Sequence, residues 1–199
     1  MILSFLITAV LLTLSPGPDI LYVLSLSLKS GAKKGVLLAF GLVSGIIIHT
    51  SLLAFGFSAI INQNPIIFNS IKWLGAIYLF YLAFKTYQEK SKISIDTIKN
   101  SNESPITLIK RGFLMNVLNP KVTLFFLSFF PKFIETNQNT ITATYKLGFI
   151  FMLQAFIIFS IVAFLAEKLK HKIDNASFNL FIKWFQIVVL IGIGIFVLL

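Results

Sequence analysis

Six apolar stretches, at residues 3–28, 36–61, 66–87, 112–133, 145–166 and 177–199, dominate this chain. Each reaches the roughly 20 residues a helix needs to cross the hydrocarbon core of a bilayer. They take up 141 of the 199 residues, and only the connection at 88–111 is long, so no room remains for a separate soluble domain. Composition agrees. Only 12% of the residues are charged, about half the share of a soluble domain, which leaves too little polar surface to cover a water-soluble globule. The formal charge of +10 does not imply a nucleic-acid partner, because Lys and Arg form short clusters between apolar runs rather than a basic patch. Cysteine is absent, which excludes disulfides, thiol redox chemistry and thiolate metal sites. The expected fold class is an all-α integral membrane protein.

Orientation follows from the basic residues, which collect on cytoplasmic connections. Lys29, Lys33 and Lys34 follow the first span; Lys85, Lys90, Lys92, Lys99, Lys110 and Arg111 flank or fill the long connection; Lys168, Lys170, Lys172 and Lys183 surround the fifth. The alternate side has only Lys72, Lys132 and Lys146. Connections one, three and five are therefore expected to face the cytoplasm, with both termini outside. The first span lacks a basic leader and a small-residue cleavage pattern, and Pro16 and Pro18 interrupt it, so it reads as a retained helix rather than a secretory signal. In the long connection, Ser104-Pro105 has the form of a helix start. Residues 106–111 then read either as an interfacial helix or as an ordinary polar linker.

Two places break the rules for a lipid-bathed helix. The first is Ser15-Pro16-Gly17-Pro18-Asp19, where two prolines remove backbone donors and an acid lies inside a span. Freed backbone carbonyls need partners from protein or a polar cavity, and a buried acid costs roughly 2.5–3.5 kcal/mol on insertion scales. The second is Asn116-Val117-Leu118-Asn119-Pro120-Lys121 in the fourth span, which again combines proline, polar side chains and a charge. Asn116 and Asn119 are three apart and can share a helix face. Each break lies in the first span of a three-helix half. Because three is odd, the halves have opposite orientations, which gives two inverted three-helix repeats, 1–87 and 112–199, joined by the cytoplasmic loop 88–111. In such folds interrupted helices of both halves meet near the midplane and form the substrate site. Asp19 and Lys121 are expected to share one cavity, with direct pairing left open. His49, on one face with Gly41 and Gly45, is either a packed neutral histidine or a proton-relay group. Tyr78 and Gln154 either line the cavity or hold helices together.

No phosphate-binding loop, metal-ligand spacing or catalytic constellation is present, so neither an enzyme nor a cofactor or metal site is expected. Transport energy would come from a gradient.

The motifs resemble those of the lysine-exporter (LysE/RhtB) family, in its homoserine/threonine-efflux branch. The likeness rests on Ser15 to Asp19, Gly31, Gly35, Gly41, Gly45, His49 and Gly56, and on Leu74-Gly75-Ala76-Ile77-Tyr78-Leu79. Its sharpest part is Gly112 to Lys121, followed by Phe125-Phe126 and Pro131-Lys132-Phe133. Asp19 stands where the family more often carries Asn. The resemblance implies export of amino acids or close analogues across the bacterial cytoplasmic (inner) membrane, usually described as proton antiport. The physics of a zwitterion fits that expectation. Lys121 and a helix N-terminus at the second break would hold its carboxylate, while Asp19 and freed carbonyls at the first break would hold its ammonium. Protonation of Asp19 from outside would then favour release. The rival expectation is a divalent metal-ion or other small-solute exporter of the same fold. Six helices are few for a transporter, which makes a homodimer plausible.

Overall fold

The computed structural model describes residues 2–56, 65–88, 103–134, 139–168 and 176–199, and among them every regular element is helical. The expected first span is two helices, α1 (Ile2–Leu14) and α2 (Pro18–Ser30), bent by 56°. The last bond of α1 runs from Ser15 N to Leu11 O at 2.9 Å, and the first of α2 from Leu21 N to Gly17 O at 3.0 Å. Pro16 and Pro18 supply no N–H between them, and Pro18 opens α2 where its missing donor costs nothing. The fourth span is likewise divided into α5 (Pro105–Val117) and α6 (Pro120–Phe129), bent by 51°, with a short 3-10 turn Phe130–Phe133 after it. Asn119 caps α6 with its side-chain oxygen, accepting from Lys121 N at 3.0 Å, and Pro120 opens it.

The remaining helices are continuous: α3 (Ala32–Gly56), α4 (Pro65–Gln88), α7 (Thr140–Lys168) and α8 (Ala176–Leu198). Among the described residues three helices are long and apolar enough to cross a membrane, or five when each bent pair is one span. One boundary differs from the sequence expectation. The fourth span starts at Pro105 rather than at 112, with Ser104 capping through its side chain, so residues 106–111 are the first turns of α5 and not a polar linker. The rest of the loop, 89–102, and residues 57–61 of the second expected span lie outside the described residues.

Helix α3 lies at the centre, packed against α5 and α7, while α4 packs along α8 and α2 rests on α3 and α7. The α3–α5 contact is backbone to backbone. A Cβ on Gly41 would collide with the Ile109 carbonyl, one on Gly112 with the Leu38 carbonyl, and one on Gly45 would come 2.9 Å from the Asn116 side chain. The Gly41-x-x-x-Gly45 spacing is thus a close-packing device, and its partner is α5. The start of α1, the end of α6 and the end of α8 gather at one end of the molecule. There the Phe5 ring sits 5.2 Å from Phe130 and 5.4 Å from Phe133, and Phe129 lies 5.6 Å from Phe196. At the opposite end Gly35 of α3 meets Ser27 of α2 and Ala163 of α7.

The burial pattern is that of a protein in lipid. Large apolar side chains such as Leu3, Phe55, Phe149 and Phe181 are exposed on the outside, far beyond the patches a soluble monomer tolerates. Ser15, Asp19, His49, Asn116, Asn119, Lys121 and Gln154 are buried within.

Candidate substrate site

Both breaks face the same interior space, and each is stitched by a side chain from the other half of the chain. Proline deprives the carbonyl four residues earlier of its helical donor. For Pro16 that carbonyl belongs to Leu12, and it accepts from Lys121 Nζ at 3.2 Å; the same ammonium donates to Ser15 O at 2.8 Å. For Pro120 the carbonyl belongs to Asn116. It accepts from Asn119 N at 2.9 Å and from His49 Nε2 at 3.0 Å. A carbonyl only accepts, so Nε2 of His49 carries a proton. The buried charge and the buried imidazole therefore repair the backbone that the prolines break.

Asp19 sits in the first turn of α2, and its Oδ2 accepts from Asn116 Nδ2 at 3.3 Å across the α2–α5 gap. It makes no direct pair with Lys121, whose ammonium takes the freed carbonyls instead. Those carbonyls were expected to be open to a ligand's ammonium. They are occupied because a lysine beside a broken helix finds them nearer than any other acceptor. Asp19 and Lys121 nevertheless border one cavity of about 30 Å³, lined also by Leu12, Thr13, Ser15, Gly17, Ile20, Asn119, Val122, Phe151 and Phe159. Its lining is mixed: Thr13, Ser15, Asp19, Asn119 and Lys121 are polar, and Leu12, Ile20, Val122, Phe151 and Phe159 are apolar. Around it Ser15 Oγ, Asp19 Oδ1 and Asn116 Oδ1 are buried without a protein partner, and buried polar atoms are normally paired. A cavity of this volume has room for about two waters.

Of the other polar residues expected inside the spans, His49 belongs to the break through Asn116. Gln154 lies one contact away, donating from Nε2 to Thr13 Oγ1 at 3.0 Å. Tyr78 does not line the cavity; it stands on α4 with its ring 6.0 Å from Tyr81. Pro16 is buried, whereas Pro18 and Pro120 are exposed and act through the backbone. Sequence reasoning missed Thr13, Ile20, Phe151 and Phe159. Nothing in their spacing separates them from the many apolar residues of an all-helical membrane chain.

Three comparisons bear on identity. Residues 10–199 match the family model described as LysE type translocator. The uncharacterized membrane protein YrhP of Bacillus subtilis (strain 168) is 31% identical, over 98% of this chain and 96% of the relative. A leucine efflux protein of Enterobacter sp. (strain 638) is 35% identical, over 85% and 82% respectively. A leucine efflux protein of Klebsiella pneumoniae is also 35% identical, over 69% and 65%. No solved structure matches. With its two proline-broken helices and a family match through nearly its whole length, the chain belongs to the LysE family of membrane translocators.

Proposed function

We propose that this chain exports apolar amino acids, leucine foremost, from the cytoplasm by proton antiport through the cavity between its two broken helices. The observation that carries this reading is the cavity's mixed lining, in which Ser15, Asp19, Asn119 and Lys121 can serve a zwitterion and Leu12, Ile20, Val122, Phe151 and Phe159 an aliphatic side chain. The name carried by relatives at 35% identity supports the same substrate. The third N–H of Lys121 and the free backbone N–H groups at the start of α2 take the carboxylate. The unpartnered Asp19 Oδ1 and Ser15 Oγ, both at the cavity, take the ammonium. Binding requires the cavity to widen, because about 30 Å³ is too small for an amino acid.

Helix directions support six spans. Counting each bent pair once and adding the 24-residue α4 gives alternating passage between the end at Phe5 and Phe196 and the end at Ser27 and Ala163. The latter end carries Lys29, Lys33, Lys34 and Lys168 and faces the cytoplasm. Both termini then lie outside, and the second repeat begins with α5 at Pro105 rather than at 112. The matching proline breaks in the first span of each half, bent by 56° and 51°, support an inverted pair of repeats. The bacterial relatives favour the cytoplasmic membrane. Asp19 is the cavity's one carboxylate, whereas a hard divalent cation takes six or more oxygen ligands, so no observation favours the metal-exporter reading.

The test is leucine movement in proteoliposomes under an imposed pH gradient. Wild-type protein should drive leucine against its own gradient, and Asp19→Asn should retain downhill exchange while losing pH-driven accumulation. If Asp19→Asn accumulates leucine as the wild type does, the coupling role is wrong.

A further inference from the structure

A second polar cluster lies one helical turn from the cavity, toward the Ser27 end, and the transport step above does not use it. Tyr22 follows Asp19 by three residues and shares its face of α2. Its hydroxyl accepts from Arg111 Nη1 at 2.5 Å, and the guanidinium carbon lies 5.7 Å from its ring centre. Arg111 precedes Asn116 by five residues on α5, about 7.5 Å along the axis. The Tyr22–Arg111 bridge thus repeats the Asp19–Asn116 bridge one level nearer the basic end, across the same gap between α2 and α5. Glu103, just before α5, pairs with the same Nη1 at 2.9 Å, with about a third of the Arg111 side chain and a quarter of the Glu103 side chain exposed. Both bonds use one nitrogen of a fork that has five donors. The other Glu103 oxygen, Oε2, is buried without a partner. A carboxylate of the chain itself therefore occupies a receptor built for carboxylates, and it is only half satisfied there.

The geometry points to a second carboxylate site here: Arg111, held by Tyr22, takes the carboxylate of an amino acid arriving from the cytoplasm-facing end and releases Glu103. The carboxylate then passes one turn inward to Lys121. A guanidinium suits this task, since it binds a carboxylate through two parallel N–H groups and stays charged while half exposed. The ligand's identity rests on the export reading; the anion-binding chemistry of the site does not.

The chain has no cysteine, so a single Ile20→Cys reports access to the cavity without background. Inverted membrane vesicles present the cytoplasmic face outward. Two methanethiosulfonate reagents of similar size, one bearing a sulfonate and one a trimethylammonium, are applied to them. The sulfonate reagent should label at least threefold faster, and Glu103→Gln should raise that rate at least threefold again. Arg111→Gln should abolish the preference, while Arg111→Lys, which keeps the charge without the fork, should retain part of it. Protection by leucine belongs to the export reading: if the charge preference holds but leucine gives no protection, the anion site stands and leucine is not its ligand. Equal rates for the two reagents, or a preference that survives Arg111→Gln, would overturn the inference.

Discussion

The backbone-to-backbone contact of α3 and α5 gives a prediction whose sign is opposite to that at a glycine with open space around it. At Gly41 a methyl group would overlap the Ile109 carbonyl, and at Gly112 one would overlap the Leu38 carbonyl, backbone atoms that cannot rotate away. Ordinary carbon contacts need about 3.5–4.0 Å, so α3 and α5 would have to part by roughly 1 Å or more. Overpacking of this kind costs about 1–3 kcal/mol. At about 2–4 °C of melting temperature per kcal/mol for a chain of this size, Gly41→Ala should melt roughly 2–12 °C lower in detergent. Gly192 on α8 has nothing within 4 Å of its would-be Cβ. There Gly192→Ala meets no obstacle and gains up to about 1 kcal/mol of helix propensity, so its melting temperature should stay level or rise. Because Gly41 and Gly112 hold the same gap, Gly41→Ala/Gly112→Ala should cost less than the sum of the single changes. Parting these helices also draws Asn116 away from Asp19, whose bond is already long at 3.3 Å, so leucine export should fall with stability. Equal melting temperatures for Gly41→Ala and Gly192→Ala, measured by differential scanning fluorimetry, would refute this packing.

Two further outcomes follow from the site. His49→Ala removes the bond to the Asn116 carbonyl, worth about 1 kcal/mol, and opens buried volume besides. It should lower the melting temperature by several degrees, with His49→Gln recovering part of the loss because its amide can donate to the same oxygen. Phe151→Ala removes bulk from the apolar lining of the cavity, so competition assays should show phenylalanine gaining against leucine. An unchanged ratio would remove Phe151 from the residues that set specificity.

The breaks were legible in the sequence because they violate what lipid demands. Pro16, Pro18 and Pro120 remove donors, and Asp19 and Lys121 bring charge where charge is costly. The cross-chain stitching was not legible. That Lys121 would take the Leu12 carbonyl rather than Asp19 depends on how two bent helices approach, and no local pattern records that angle. Tyr22 and Arg111 escaped notice for a related reason. Each is unremarkable near a membrane boundary, and only their meeting across α2 and α5 gives them a role. Of the two roles open to Tyr78, the cavity's lining does not include it and its ring lies beside Tyr81; polarity inside a span marks a candidate, but the helix's neighbours decide which way it faces. Phe151 and Phe159 are two of 22 phenylalanines, and hydrophobicity alone does not say which of them border a cavity.

The central claim is that Lys121 and Asp19 together hold a zwitterion in the cavity between the breaks. Equilibrium binding of labelled leucine to purified protein, compared between wild type and Lys121→Met, tests it most directly. A charged hydrogen bond to the carboxylate contributes about 1.5–3 kcal/mol, so Lys121→Met should weaken binding roughly 10- to 150-fold. Competition at the wild-type site should follow the same logic, with valine displacing leucine and 3-methylbutylamine, which lacks the carboxylate, failing to do so. Wild-type affinity in a folded Lys121→Met protein would contradict the claim.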